Sequence, residues 1–151
     1  MTNINWMEIV SNRNIARDVY EMKLKGEGAS LITAPGQFVN IKVSTLESQP
    51  YLRRPMSVCD YDNENLTIIY KVVGKGTKIL REKQPGEKLD MLLGLGNGFP
   101  LPDIKKAVLI GGGVGVPPMY NLAKQLKAKG VEKAELCLVG WNISGHDGRY
   151  P

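Results

Sequence analysis

Cysteine is scarce in this sequence: Cys59 and Cys137 are the only two in 151 residues, and they belong to no close pair with metal-ligand spacing. An iron-sulfur cluster held by four cysteines of the chain is thereby excluded. Both read as buried apolar residues of a reducing compartment, with no disulfide and no metal role. Histidine is scarcer still. His146 stands alone between Gly145 and Asp147 in an unpatterned stretch and reads as an exposed loop residue, not a base or a ligand. No apolar run approaches the roughly 20 residues that cross a bilayer. The opening MTNINWMEIV lacks the basic stretch, apolar run and small-residue cleavage site of a secretory signal, so a cytoplasmic location without membrane attachment is expected. The lysines behind the net charge of +5 are scattered and not interleaved with aromatics, which favours a solvated surface over nucleic-acid binding. Trp6 and Trp141 read as packing residues.

What is present is a globular composition, 42% hydrophobic and 23% charged, in which short strands alternate with turn residues over the first two-thirds. Leu66 to Val73, rich in β-branched and aromatic residues and bounded by Asn65 and Gly74, is the clearest strand. Others are expected over Trp6 to Val10, Val19 to Leu24, Gln37 to Val43 and Lys88 to Leu93. Turn chemistry lies nearby at Gly26, Gly28, Pro35-Gly36 and Pro85-Gly86. Such spacing predicts an antiparallel β barrel.

Near Pro100 and Pro102 the pattern changes to α/β. Ala107-Val108-Leu109-Ile110 suits a strand buried on both faces. A glycine-rich turn, Gly111 to Pro118, follows, and then Met119, Leu122, Ala123 and Leu126 fall at helical spacing, with Gly130 ending the helix. Ala134 to Val139 completes a parallel β-α-β unit. The expected organisation is a barrel domain over residues 1–102 and an incomplete nucleotide-binding unit over 103–151. A doubly wound nucleotide domain normally has several more strands, so a C-terminally truncated chain is expected.

The strongest chemical signal is Arg53-Arg54-Pro55-Met56-Ser57. On an extended segment, which Pro55 favours for Arg54, a guanidinium can pair with a phosphate while the serine reaches a ring nitrogen of a cofactor. An edge strand carrying two solvated arginines is the plain alternative. Gly74-Lys75-Gly76-Thr77 follows the best strand and opens a helical turn through Leu80. Its glycines let backbone N–H groups approach a phosphate, and Thr77 adds a hydroxyl. A flexible turn would look the same. Asp60 and Asp62 read as turn chemistry and not as a catalytic pair.

Taken in order, these motifs resemble the ferredoxin reductase superfamily, and within it the electron-transfer subunits of class 1B dihydroorotate dehydrogenases, over nearly the whole chain up to about Gly140. Pro35-Gly36-Gln37-Phe38-Val39 is similar to the superfamily's strand-opening element. Arg54-Pro55-Met56-Ser57 resembles its Arg-x-Tyr-Ser motif, with Met56 in the tyrosine position. Leu95-Gly96-Asn97-Gly98-Phe99 resembles a Gly-Pro-Leu-Gly-Asn-Gly-Phe signature in which Leu93-Gly94 replaces Gly-Pro. Gly111 to Pro118 is similar to the family's Gly-Gly-Gly-x-Gly-x-x-Pro turn, although it does not match the dinucleotide-fold fingerprint spacing.

The resemblance implies an antiparallel Greek-key FAD-binding barrel. Arg54, Pro55, Met56, Ser57, Ile69, Tyr70, Lys71, Gly76 and Thr77 would contact FAD. Arg54 and Thr77 would hold its pyrophosphate, and Ser57 would stand at the hydride-receiving edge as the catalytic position. Gly111, Gly112, Gly113, Gly115 and Pro117 would approach the pyrophosphate of NAD(H). The family's [2Fe-2S]-binding cysteine segment is not in this sequence. The implied function is electron transfer from NADH through FAD towards an iron-sulfur centre and a dihydroorotate dehydrogenase catalytic subunit, its hetero-oligomeric partner, in pyrimidine biosynthesis. Another NAD(P)H oxidoreductase of the superfamily and a non-catalytic FAD-binding fragment are the alternatives.

Overall fold

The computed structural model describes residues 4–44 and 50–139. Residues Trp141 and His146, singled out above, lie outside the described residues. Period-2 alternation folds the first part into β1 (Asn5–Ala16), β2 (Val19–Lys25), β3 (Phe38–Ile41), β4 (Arg54–Tyr61), β5 (Asn65–Lys71) and β6 (Lys88–Leu95). These antiparallel strands close into a barrel in the order β1-β2-β5-β4-β3-β6. Met7 and Ile9, Met22 and Leu24, Ile68 and Tyr70 point inward from successive strands and are fully or almost fully buried. Burying each side chain of this size is worth about 1.5–3 kcal/mol, which is why the alternation dictates the register.

A short helix, α1 (Lys75–Arg81), closes one end of the barrel with the fully buried Leu80. Its C-terminal carbonyls are not left to water. The Asn12 side chain donates to the carbonyls of Leu80 and Lys83, both at 3.0 Å, and its Oδ1 accepts from the Tyr70 hydroxyl at 3.0 Å. Tyr70 also stacks on its cross-strand partner Tyr20, with ring centroids 5.8 Å apart. Barrel and helix therefore share one hydrogen-bonded joint.

A second joint explains two of the sequence motifs. The Gln37 side chain is buried; its Oε1 accepts from the backbone N–H of Thr33 at 2.8 Å, and its Nε2 donates to the Gly96 carbonyl at 2.9 Å. Phe99 donates its N–H to the Pro35 carbonyl at 2.6 Å and lays its ring where a β-carbon on Gly36 would stand. Pro35–Val39 and Leu95–Phe99 thus lock each other in place.

After the barrel come β7 (Lys106–Gly112), a 3₁₀ turn at Gly113–Gly115, α2 (Pro117–Ala128) and β8 (Lys133–Val139), with β7 and β8 parallel. Pro117 opens α2 where its missing N–H costs nothing, and Gly130, at φ +89°, lets the chain leave. Met119, Leu122 and Leu126 pack on Leu109 and Val131. Four expectations are corrected here. Trp6, read as a packing residue, is 63% exposed on β1. The β7 run is buried on one face only, because α2 covers Leu109 while Val108 and Ile110 are 61% and 68% exposed on the other. Cys137, on β8, is exposed, whereas Cys59 is buried. Asp60 makes no turn: its carboxylate binds α2, while Asp62 does organise the turn into β5 by accepting from the N–H groups of Glu64 and Asn65. No described helix is long and apolar enough to cross a membrane.

Candidate cofactor-binding site

Arg54 begins β4, and its side chain crosses to α1, where Gly76 receives it. A β-carbon at Gly76 would collide with the Arg54 Nε. Arg54 has no acidic partner among the described residues; its one polar contact is a weak 3.4 Å approach of Nη1 to the Arg53 carbonyl. The guanidinium charge is thus available at the mouth of a glycine cradle. Lys75 starts α1, and no acidic residue stands in its first turn. That donor set suits a diphosphate, with the charge supplied by arginine because a helix this short has little dipole of its own.

Thr77 is buried, and its hydroxyl is engaged within the turn. It accepts from the N–H groups of Val73 and Gly74 at 3.0 and 3.1 Å and donates to the Gly74 carbonyl at 3.0 Å. Its position makes it the organiser of the cradle. What the segment offers a phosphate is backbone, not this hydroxyl.

Along β4, Pro55 and Ser57 are exposed, and Met56 packs against the barrel core. The Ser57 hydroxyl makes no hydrogen bond among the described residues. On β5, Ile69 and Lys71 face outward, whereas Tyr70 faces inward and is nearly fully buried. Burial pushes the Tyr70 hydroxyl up to about 12. Only its main chain is left for a ligand on the outer face.

The glycine-rich turn comes to the same region, since Gly113–Gly115 packs against β5. Gly111 is buried, and a β-carbon there would press on Val116; Gly112, Gly113 and Gly115 are exposed. Gly113 has φ +53° and open space around it, so main chain and not side chain faces outward at the turn. Pro117 is buried behind it at the start of α2. Arg54 joins β4 to α1, β4 pairs with β5, and β5 meets this turn, so the four are linked step by step although they span Arg54 to Pro117 in sequence.

Five positioning contacts escape local sequence patterns. Asp60 accepts from Asn121 Nδ2 and Lys124 Nζ, both at 2.6 Å, and Gln125 Nε2 donates to the Tyr61 hydroxyl at 2.9 Å. These bonds dock α2 on β4 and hold the turn over β5. Arg53 pairs with Asp90 at 2.7 Å, and Asn12 caps α1. Each joins residues far apart in the chain.

Among the described residues, no group of histidine, cysteine and carboxylate side chains could hold a metal ion. With Cys59 buried and Cys137 the only other cysteine, the chain does not fit an iron-sulfur cluster.

No protein-family model matches the chain. Among curated proteins it is similar to the dihydroorotate dehydrogenase B (NAD(+)) electron transfer subunit of Geobacillus sp. (strain WCH70). Identity is 49% over 130 residues, which cover 83% of this chain and 50% of that protein. The subunit of the same name from Bacillus caldolyticus is 49% identical over 131 residues, 83% of this chain and 51% of that protein. The chain spans about half the length of these relatives. Among solved structures, an NADH-dependent reduced ferredoxin-NADP oxidoreductase superposes with a TM-score of 0.75 at 32% identity, covering 93% of this chain and 49% of that one. The ordered motifs, the closed barrel and these likenesses agree: the chain belongs to the ferredoxin-reductase-like superfamily, where its sequence is similar to the electron-transfer subunits of dihydroorotate dehydrogenase B.

Proposed function

We propose that the chain binds FAD on the outer face of β4 and β5, accepts electrons from NADH and delivers them towards a dihydroorotate dehydrogenase catalytic subunit. The observation that carries this reading is the free Arg54 guanidinium lying on Gly76 at the start of α1, on a strand that also exposes Ser57 and pairs with β5, which the Gly113–Gly115 turn meets. Bound FAD would supply the conversion between two-electron and one-electron chemistry. Arg54 holds the diphosphate in this reading, with Gly76 keeping the approach open and Thr77 keeping the turn in shape. Ser57 offers a hydroxyl to the flavin edge. Main chain along Ile69, Tyr70 and Lys71 lines the ring system, and Gly111, Gly112, Gly113, Gly115 and Pro117 form the turn that receives NADH.

The exposed Val108 and Ile110 favour a second reading, in which the chain binds FAD but does not present NADH to it. A visible absorption spectrum followed by anaerobic addition of NADH separates the two. A yellow protein bleached by NADH supports the first, and one that stays oxidised supports the second. A colourless protein that takes up no added FAD overturns both. Electron delivery to a purified dihydroorotate dehydrogenase catalytic subunit, compared with an artificial acceptor, tests the partner.

A further inference from the structure

Arg53 and Arg54 are adjacent, yet their guanidinium groups have different partners. Arg53 reaches over β3 to β6: its Nη2 meets Asp90 Oδ1 at 2.7 Å, and its Nη1 donates to the Asp90 carbonyl at 2.9 Å and, weakly, to the Asn40 carbonyl at 3.4 Å. The pair is sheltered, with side chains 22% and 11% exposed, so it escapes much of the screening that makes surface ion pairs weak. Bonds to a carboxylate and a carbonyl of one residue fix the guanidinium plane, which a lysine could not reproduce. Arg54, in contrast, keeps its charge free and leans on the Arg53 carbonyl.

We infer that Arg53 is a positioning residue for the FAD site: clamped on Asp90, it fixes the start of β4, from which Arg54 reaches the diphosphate. The inference rests on the FAD reading above and adds a residue pair to it. Asp90's charge is committed to Arg53, which leaves Arg54's charge for phosphate. Loosening the clamp lets the first residue of β4 shift and takes Arg54 off Gly76, although neither Arg53 nor Asp90 touches the cofactor.

Riboflavin separates this role from a merely structural one, because it lacks the diphosphate that Arg54 would hold. The full chain is titrated with FAD and with riboflavin by flavin fluorescence, as wild type, Asp90→Asn, Arg53→Lys and Arg54→Ala. A core-thinning reference, Leu24→Val, reports general loosening. Asp90→Asn is expected to lower FAD affinity about tenfold, part of what a charge-assisted hydrogen bond is worth, with riboflavin affinity unchanged. In the Arg54→Ala background, Asp90→Asn should cost no further FAD affinity, since both act through one contact. Arg53→Lys, which keeps the charge, makes the same test if Asp90→Asn fails to fold. Parallel loss of FAD and riboflavin, as for Leu24→Val, or an undiminished Asp90→Asn effect without Arg54, overturns the inference while the FAD reading stands. A wild type that binds FAD no better than riboflavin overturns the FAD reading and the inference with it.

Discussion

The Arg54 side chain lies on Gly76 so closely that a β-carbon at residue 76 would occupy the space of its Nε and crowd its Cγ and Cδ. Glycine inside a helix costs roughly 0.5–1 kcal/mol relative to alanine, so a glycine here works against α1 and in favour of the arginine's path. Gly76→Ala should therefore leave thermal stability equal or higher while weakening FAD retention. Calorimetry and flavin titration read the two effects separately. A variant that keeps FAD unchanged would remove the glycine cradle from the site.

Arg54→Ala should weaken FAD retention by about 1.5–3 kcal/mol, the range for a hydrogen bond to a charged group. Stability should hardly change, because Arg54 has no acidic partner among the described residues to leave behind. Equilibrium dialysis with and without added FAD measures the first, and urea unfolding the second. Unaltered retention would take Arg54 out of the reading.

Asp60→Ala removes the acceptor of Asn121 and Lys124, and Asn121 is 2% exposed. Leaving a buried amide without its partner costs about 1–3 kcal/mol. The loss should appear as faster amide exchange in α2 with the barrel strands unaffected. Equal protection in both proteins would mean that apolar packing alone docks α2.

Alkaline pH should destabilise the fold in two stages. Burial, reinforced by the Asp60 carboxylate, pushes the Cys59 thiol from 9.0 up to about 11, and burial pushes the Tyr70 hydroxyl from 10.0 up to about 12. The unfolded chain gives up both protons earlier, so stability from Cys59 is complete below 9.0 and lost as pH approaches about 11, with Tyr70 following between 10.0 and about 12. Urea midpoints across this range test it, and Tyr70→Phe should abolish the later stage. A thiol reagent should label exposed Cys137 quickly and Cys59 only on unfolding.

Strand β5 was legible because sheet burial on one face leaves a period of two, as Leu66, Ile68 and Tyr70 show against Thr67, Ile69 and Lys71. The strand-turn-helix from β7 to α2 was legible through its glycines and its Leu122 and Leu126 spacing. Strand β1 was expected to stop near Val10 but runs to Ala16, because Asn12 and Asn14 break the apolar pattern while still pairing with β2. The turn after it has no glycine; Asp18 takes φ 58° instead, a conformation aspartate tolerates. At the site, the motif residues could be named from their order, but Arg53 with Asp90 and Asp60 with Lys124 could not. Those pairs are 37 and 64 positions apart, and only the barrel closure and the docking of α2 bring them together.

The barrel is sealed by a seam between its first and last strands, with Asn5 opposite Met91 and Met7 opposite Leu89. During synthesis, at about 5–20 residues per second, β1 must wait on the order of ten seconds before its partner exists. Pairing with β2 can begin at once, which leaves Met7 and Ile9 on an open hairpin with no interior to enter. That interval, and not the finished barrel, is when these apolar side chains stand open to water, and slower translation ahead of β6 would prolong it.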